Sequence, residues 1–353
     1  MRLISREQRK LDHLKFALQS NQEVRSAFDD IQLVHRSLPE VNLSDCKLQT
    51  SLGGKELASP LLINAMTGGA YKTEEINYRL ALVAKETGLS MAVGSQKAAL
   101  NNPDLARTYQ VIRQANPNGV VLANLSADSS IEEAKQAIAM IHADFLQLHL
   151  NVPQELVMPE GDRYFTGLMK KIQQIVSFSP VPVIVKEVGF GMCKETYEQL
   201  LSVGVKLIDV AGRGGTNFIW VENQRREGQE YHFLYRWGQS TVISLIEAQK
   251  FHPQMELISS GGIRNPLDMI KSFVLGAKVI GMASPILRSV QEEGVETTIQ
   301  TIHRWHEQLR ILMTMLGAKC LSELQRVPAV ILGETREWCE SRGLDHYHYS
   351  RRF

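Results

Sequence analysis

The sequence predicts an α/β fold: one (β/α)8 TIM barrel with an N-terminal arm and a C-terminal helical extension. Three observations predict it. Eight short runs rich in Val, Ile and Leu recur along the chain, several almost continuously apolar, as parallel strands covered on both faces are. Amphipathic segments such as "TEEINYRLALVAKETG", "SIEEAKQAIAMIHA" and "PLDMIKSFVLGAK" lie between them. Gly, Asn, Gln, Lys and Thr gather just past the runs, where the βα loops of a barrel collect its chemistry. Eight such units in about 225 residues suit a closed barrel better than an open doubly wound sheet.

The runs are "LLINA" (61–65), "LSMAVG" (89–94), "VVLANL" (120–125) and "FLQLHL" (145–150). They continue with "VPVIVKEV" (181–188), "LIDVAG" (207–212), "ELISSGG" (256–262) and "KVIGMA" (278–283). Helix starts are expected near Thr73, Ser129 and Pro266, each a cap or first-turn residue. A long helical stretch is expected from about Pro285 to Leu316, and residues 40–58 read as an irregular or short-stranded cover over the barrel's bottom or side. No repeat or low-complexity linker interrupts the chain. The simplest division is one domain, 1–353, with a basic arm (1–20), a barrel (about 60–316) and an extension (317–353).

The chain has 353 residues, 44% hydrophobic and 22% charged, the balance of a soluble globular protein. A formal net charge of +1 gives no overall pull toward nucleic acid or a membrane surface, so anion binding must rest on local clusters. The start, "RLISREQRKLDH", has no signal-peptide core, and no run of about 18 apolar residues occurs. Cys46, Cys193, Cys320 and Cys339 lie far apart, which argues against a zinc site or disulfide framework and for a reducing, cytoplasmic setting.

"SSGGIRNP" (259–266) and "IGMASP" (280–285) follow the seventh and eighth runs, where barrels commonly build a phosphate cradle from backbone N–H groups. Gly261 and Gly262 let the backbone approach an anion, and Arg264 adds charge; alone, a Gly-Gly pair is an ordinary turn. The phosphate can belong to a substrate or to a cofactor such as FMN. Lys186 ends "VPVIV", and a lysine inside a covered strand is costly unless it reaches a cavity or an anion. A positive charge there suits the pyrimidine edge of a flavin. "INAMTGGA", "GSQ" and Asn124 offer amides, hydroxyls and open backbone to a flat heterocycle, and "GRGGTN" (212–217) is a second anion nest with the Thr216 hydroxyl.

The pieces "INAMTGG", "GSQ", "HLNVPQE", "VIVKEVGFGM", "DVAGRGGTNF", "ENQRR" and "SSGGIRN" occur in an order that resembles the type 2 isopentenyl-diphosphate isomerases, FMN-dependent barrels of isoprenoid synthesis. The resemblance covers essentially the whole chain, including "RKLDH"; "HLNxxQE" and "VKEVGFGM" are its specific parts. It implies FMN contacts from Met66, Thr67, Gly68, Ser95, Asn124, Lys186, Thr216, Gly261, Gly262 and Arg264, with Ala283 and Ser284 at the phosphate end. It implies diphosphate contacts from Arg9, Lys10 and His13, helped by Gln96, Lys97, His149, Asn151 and Gln154, and a Mg2+ held by Glu155. Gln154, Glu155 and Lys186 are the candidates for catalysis; whether Gln154, Glu155 or the flavin takes the second proton stays open.

The implied reaction interconverts isopentenyl and dimethylallyl diphosphate, with reduced FMN as acid–base cofactor and NADPH supplying the first reduction. A homo-oligomer, tetramer or octamer, is implied too. Two departures stand out: Lys97 replaces the arginine usual after "GSQ", losing its bidentate fork, and "RWGQST" lacks a common proline. The chief rival is an FMN-dependent 2-hydroxy-acid oxidase or dehydrogenase, which resembles its relatives in a His before a glycine pair; here the stretch reads "AGRGG". An inosinate-type dehydrogenase would need a loop cysteine, for which only Cys193 offers itself, and a non-catalytic flavin-binding barrel explains the basic arm and Glu155 poorly.

Overall fold

The computed structural model describes residues 6–19 and 25–352; residues 1–5 and 20 of the predicted arm, and Phe353 of the extension, lie outside the described residues. Eight parallel strands form a closed barrel: β1 (Leu61–Ile63), β2 (Ser90–Ala92), β3 (Val121–Ser126), β4 (Phe145–His149), β5 (Val183–Lys186), β6 (Leu207–Asp209), β7 (Glu256–Ser260) and β8 (Ala277–Met282). Each of the eight apolar runs supplies one strand, and β8 pairs with β1 to close the ring.

Period-two alternation sorts the strand residues between lumen and helices. One residue from each strand, Leu62, Ala92, Leu122, Phe145, Ile184, Leu207, Ile258 and Val279, packs into an apolar floor with Leu52 and Leu57. Those two leucines belong to a hairpin of Thr50–Leu52 with Lys55–Leu57, so the predicted cover is a plug at the strands' N-terminal end. Gly53 turns the hairpin at φ +54, and a Cβ there would come within 2.8 Å of Leu207.

Two residues further along the strands the lumen changes character. Asn64, Asn124, Gln147, Lys186, Asp209 and Ser260 are all buried in a polar layer above the floor. In β4 the lumen takes Phe145 and Gln147, whereas Leu146 and Leu148 join the core shared with the outer helices. The leucines of "FLQLHL" thus pack outward, while Phe145 and the polar residues point in.

The helices Thr73–Thr87, Ile131–Ile141 and Pro266–Val274 form over the amphipathic segments. The second is capped by Ser130, whose Oγ accepts from the Glu133 N–H at 3.2 Å, and not by Ser129. The expected helix over 285–316 is broken at Gly294 (φ +90) into Ser284–Glu292 and Val295–Met315. Outside the barrel, Ile31–Leu33 pairs antiparallel with Ala329–Ile331, so the extension folds back on the segment that enters the barrel. Among the described residues no helix is long and apolar enough to cross a membrane, and the four cysteines are unpaired.

Phe145 is the largest side chain of the floor and is 1% exposed. Phe145→Ala should therefore lower unfolding free energy by about 3–5 kcal/mol in a urea titration, with the m-value unchanged.

Candidate active site

A cavity of about 530 Å³ opens at the C-terminal ends of the strands, lined by residues from β1 to β8 and by Arg9, Lys10 and His13 of the N-terminal helix Arg6–Gln19. It has a glycine-rich end and a cationic end.

At the glycine-rich end, the loops after β6 and β7 approach backbone to backbone. A Cβ on Gly214 would lie 3.1 Å from Gly262 Cα, and one on Gly215 would lie 3.2 Å from Gly261 Cα. Gly261 (φ +93) and Gly262 (φ +71) also hold backbone conformations that L-residues rarely adopt. The helix Ser284–Glu292 begins beside them, with its N-cap Ala283 and Ser284 on the cavity wall. Thr216 Oγ1 sits 2.7 Å from Ser284 Oγ. Open amides, hydroxyls and a helix N-terminus make an anion cradle that side chains would fill. Together with Met66, Ser95 and Asn124 on the wall and the buried ammonium of Lys186, this end fits a phosphorylated flavin.

Lys186 closes β5 and is 6% exposed. Strand register sets His149, Lys186 and Asp209 side by side on β4, β5 and β6. Lys186 Nζ donates to the Glu187 carbonyl at 2.6 Å and lies 3.9 Å from Asp209 Oδ2. Asp209 is fully enclosed and accepts from Asn64 Nδ2 at 2.6 Å and from Ser260 Oγ at 2.5 Å. Burial, and then the charges of Lys186 and Lys10, push the His149 imidazole down to about 3, leaving it neutral near pH 7. Glu187 turns away from the cavity; its carboxylate accepts the Val188 and Phe190 N–H groups and shapes the loop, while burial pushes it up to about 7.

The cationic end is built around the short helix Val152–Val157, which starts just past β4 with Pro153 in its first turn. Asn151 Nδ2 donates to Glu155 Oε1 at 2.7 Å, and the Asp162 N–H donates to Oε2 at 2.9 Å. Burial nonetheless holds the Glu155 carboxyl above the usual range, with the Asp162 charge adding to the effect. Gln154 is buried and donates to Glu222 Oε1 at 2.7 Å. Glu222, fully enclosed on the helix Phe218–Gln224, also meets His13 Nε2 at 2.7 Å and Arg225 Nη1 at 2.5 Å. Burial pushes the Glu222 carboxyl up, but His13, Gln154 and Arg225 outweigh it and hold the group below its ordinary value. Edge-to-face contacts of His13 with Phe218 and of Phe16 with Trp220 seat the N-terminal helix on this element.

Several residues singled out in the sequence stand elsewhere. Gln96 is 0% exposed and does not line the cavity; its amide donates to the Ala137 carbonyl and accepts from the Asn124 N–H. Thr67 turns its hydroxyl to Asn77, away from the cavity. Gly68 (φ +133) serves packing, since a Cβ there would run into the Tyr109 ring at 2.2 Å. Arg264 reaches the cavity edge, but its guanidinium is committed to Asp268 and Asp29, which raise its pKa further. Lys97 lines the cavity while paired with Glu133. Cys193 contacts Thr196 at the start of its own helix and takes no part in the wall. No group of three His, Cys, Asp or Glu able to hold a metal occurs among the described residues, so Glu155 would share any Mg2+ with ligand oxygens and water. The sequence reading missed Asn64, Gln147, Asp209, Ser260 and Glu222. Gln147 carried a usable signal, being polar at an inward position of a buried strand.

Residues 164–330 match the FMN-dependent dehydrogenase family. The isopentenyl-diphosphate delta-isomerase of Geobacillus sp. (strain WCH70) is 49% identical over 350 residues, covering 99% of this chain and 100% of that protein. The protein of the same name from Listeria monocytogenes serotype 4a (strain HCC23) is 47% identical over 342 residues, 96% of each chain. Among solved structures, a mandelate oxidase superposes with a TM-score of 0.65 at 14% identity, covering 93% of this chain and 100% of that one. A second, with benzoyl-formic acid, gives 0.64 at 14% identity over 91% and 94%. Those oxidases share the fold. Near-full-length identity lies with the other group, and the chain belongs to the isopentenyl-diphosphate delta-isomerase family.

Proposed function

We propose that this enzyme interconverts isopentenyl and dimethylallyl diphosphate in a site that uses FMN, with Mg2+ on the diphosphate and NADPH as the source of the first reducing equivalents. One observation carries the reading: a single cavity joins a glycine cradle with a buried lysine to a cationic arm beside Glu155. An oxidase needs the first end, and the second suits a diphosphate.

Moving the double bond requires a proton added to an unactivated alkene and another removed two carbons away. Reduced FMN, when bound, supplies acid–base groups suited to an alkene, which the side chains of this cavity lack. The chain supplies the rest. Gly261, Gly262, Thr216 and Ser284 hold the flavin phosphate, and Lys186 offers charge to the ring's pyrimidine edge. Arg9, Lys10 and His13, which line the other end of the cavity, would hold the diphosphate and direct the alkene toward the flavin. Gln154, kept in orientation by Glu222, and Glu155 are the protein groups placed to take or relay the second proton. The 2-hydroxy-acid oxidase alternative requires a base next to the glycine pair, where this chain has Arg213.

Purified protein should be yellow, and anaerobic incubation with isopentenyl diphosphate, FMN, NADPH and Mg2+ should yield dimethylallyl diphosphate. NADPH use should stay far below one per turnover; equimolar use would mean a reductase, and a chain unable to take up FMN would remove the cofactor from the proposal. Glu155→Gln should raise the Mg2+ concentration for half-maximal rate at least about tenfold while FMN stays bound. Because burial raises the Glu155 pKa, protons compete with Mg2+ below that value. The parent's Mg2+ requirement should then rise as pH falls, by up to about tenfold per pH unit, and the variant should lose this slope. Glu222→Gln removes the charge that seats His13 yet leaves Arg225 paired with Glu160. Hydrogen exchange over Arg6–Gln19 should speed up about tenfold in that variant, with the barrel strands unaffected.

A further inference from the structure

Three buried amides stand in a row between the Asp209 carboxylate and the His149 imidazole. Asn64 Nδ2 donates to Asp209 Oδ2 at 2.6 Å, and Gln147 Nε2 donates to Asn64 Oδ1 at 3.2 Å. Asn124 Nδ2 donates to Gln147 Oε1 at 3.2 Å, and Asn124 Oδ1 lies 3.0 Å from His149 Nδ1. We infer that Asp209, through Asn64, Gln147 and Asn124, holds His149 as the Nδ1–H tautomer, so that its Nε2 meets the ligand as a hydrogen-bond acceptor and brings no positive charge.

The direction of the row is set at one end. A carboxylate only accepts, so the Asn64 atom facing Asp209 must be its NH2 group. The Ala65 N–H donates to Asn64 Oδ1 at 2.9 Å, an independent constraint on the same amide. With Asn64 fixed, its oxygen must face an NH2 group, which orients Gln147; the Gln147 oxygen must then face an NH2 group, which orients Asn124. The Asn124 oxygen is left facing the ring, and only a protonated Nδ1 satisfies it. Turning any one amide sets two donors or two acceptors against each other among buried side chains. The charged groups facing the ring are Lys186 from β5, Lys10 from the N-terminal helix and Asp128 from the loop after β3. The two cations oppose a third positive charge. Asp128 and the Leu125 carbonyl favour protonation, but burial and the lysines outweigh them.

The consequence is a donor–acceptor pattern on the cavity wall: an ammonium from Lys186 beside a lone pair from His149. The ligand group opposite His149 must carry a hydrogen, as a protonated phosphate oxygen, a metal-bound water or a ring N–H does. The identity of that ligand rests on the proposed function; the tautomer does not, and it is read without turnover.

The test is nitrogen NMR on the full-length chain labelled with 15N-histidine, His149 being assigned by the signal lost in His149→Gln. From about pH 5 to about pH 9, His149 should show a pyrrole-like Nδ1 and a pyridine-like Nε2, with Nδ1–H in at least about tenfold excess. An imidazolium in this range, or a predominant Nε2–H form, would overturn the inference. Gln147→Leu cuts the row at similar volume, and Asp209→Asn removes its acceptor-only end. In either variant that folds, the excess should collapse toward a mixture of tautomers. An unchanged ratio would mean that the row does not set the tautomer.

Discussion

A carboxylate enclosed in a barrel lumen must be satisfied on every side, and Asp209 imposes that demand on everything above the apolar floor. Unpaired, such a charge costs several kcal/mol. Here it meets Lys186 at 3.9 Å and takes hydrogen bonds from Asn64, from Ser260 and from the Ala211 N–H. Lys186 in turn is tolerable at 6% exposure because that carboxylate and the Glu187 carbonyl flank it. The pair lets a cation stand at the cavity wall without being released to water. Gly281 completes the arrangement by its size, since a Cβ there would press on Asn64 Nδ2 at 2.7 Å.

A further enclosed carboxylate, Glu222, works between elements. It joins the N-terminal helix through His13, the helix after β4 through Gln154, and its own helix through Arg225. This fixed point, with the Lys10 contact to the Ser95 carbonyl, helps hold Arg9 and Lys10 at the cavity, because an isolated helix of 14 residues is marginal alone. The mandelate oxidases share the barrel at 14% identity. The barrel itself therefore does not decide the reaction; that role falls to what the loops and the arm bring to the strand ends.

The barrel was legible because its signal is repeated. Eight apolar runs and eight polar ends are hard to arrange otherwise, and each run held a strand. The glycine cradle was legible because "GRGG" and "SGGI" fall after adjacent strands. The polar layer was not, because single residues such as Asn64 and Asp209 reveal their partners only when the ring closes. Register links Lys186 to Asp209 across 23 positions of sequence, and a linear reading cannot supply register. Gln96 failed for the opposite reason: its motif points to the cavity mouth, while the backbone after β2 turns the side chain under the helix that carries Ala137. In β4 the leucines face the outer helices and not the lumen. Alternation from Phe145 puts Gln147 and His149 inside.

Charge at the cavity mouth is smaller than a count of cations implies. Arg9 lies 4.0 Å from Glu160, Lys97 is paired with Glu133, and Arg264 is tied to Asp268 and Asp29. These pairs fix long side chains in place, but their carboxylates stay nearby and offset the charge offered to an anion. A diphosphate would therefore meet a well-ordered but only weakly positive surface. Glu155 stands on the same rim with a proton affinity raised by burial, which the hydrogen bonds from Asn151 and the Asp162 N–H do not fully offset. A dication between the two would offset charge on both, with twice the charge of a single lysine ammonium. Under the proposed reading, the cation and the diphosphate each complete the other's site, and neither has a full set of protein ligands alone.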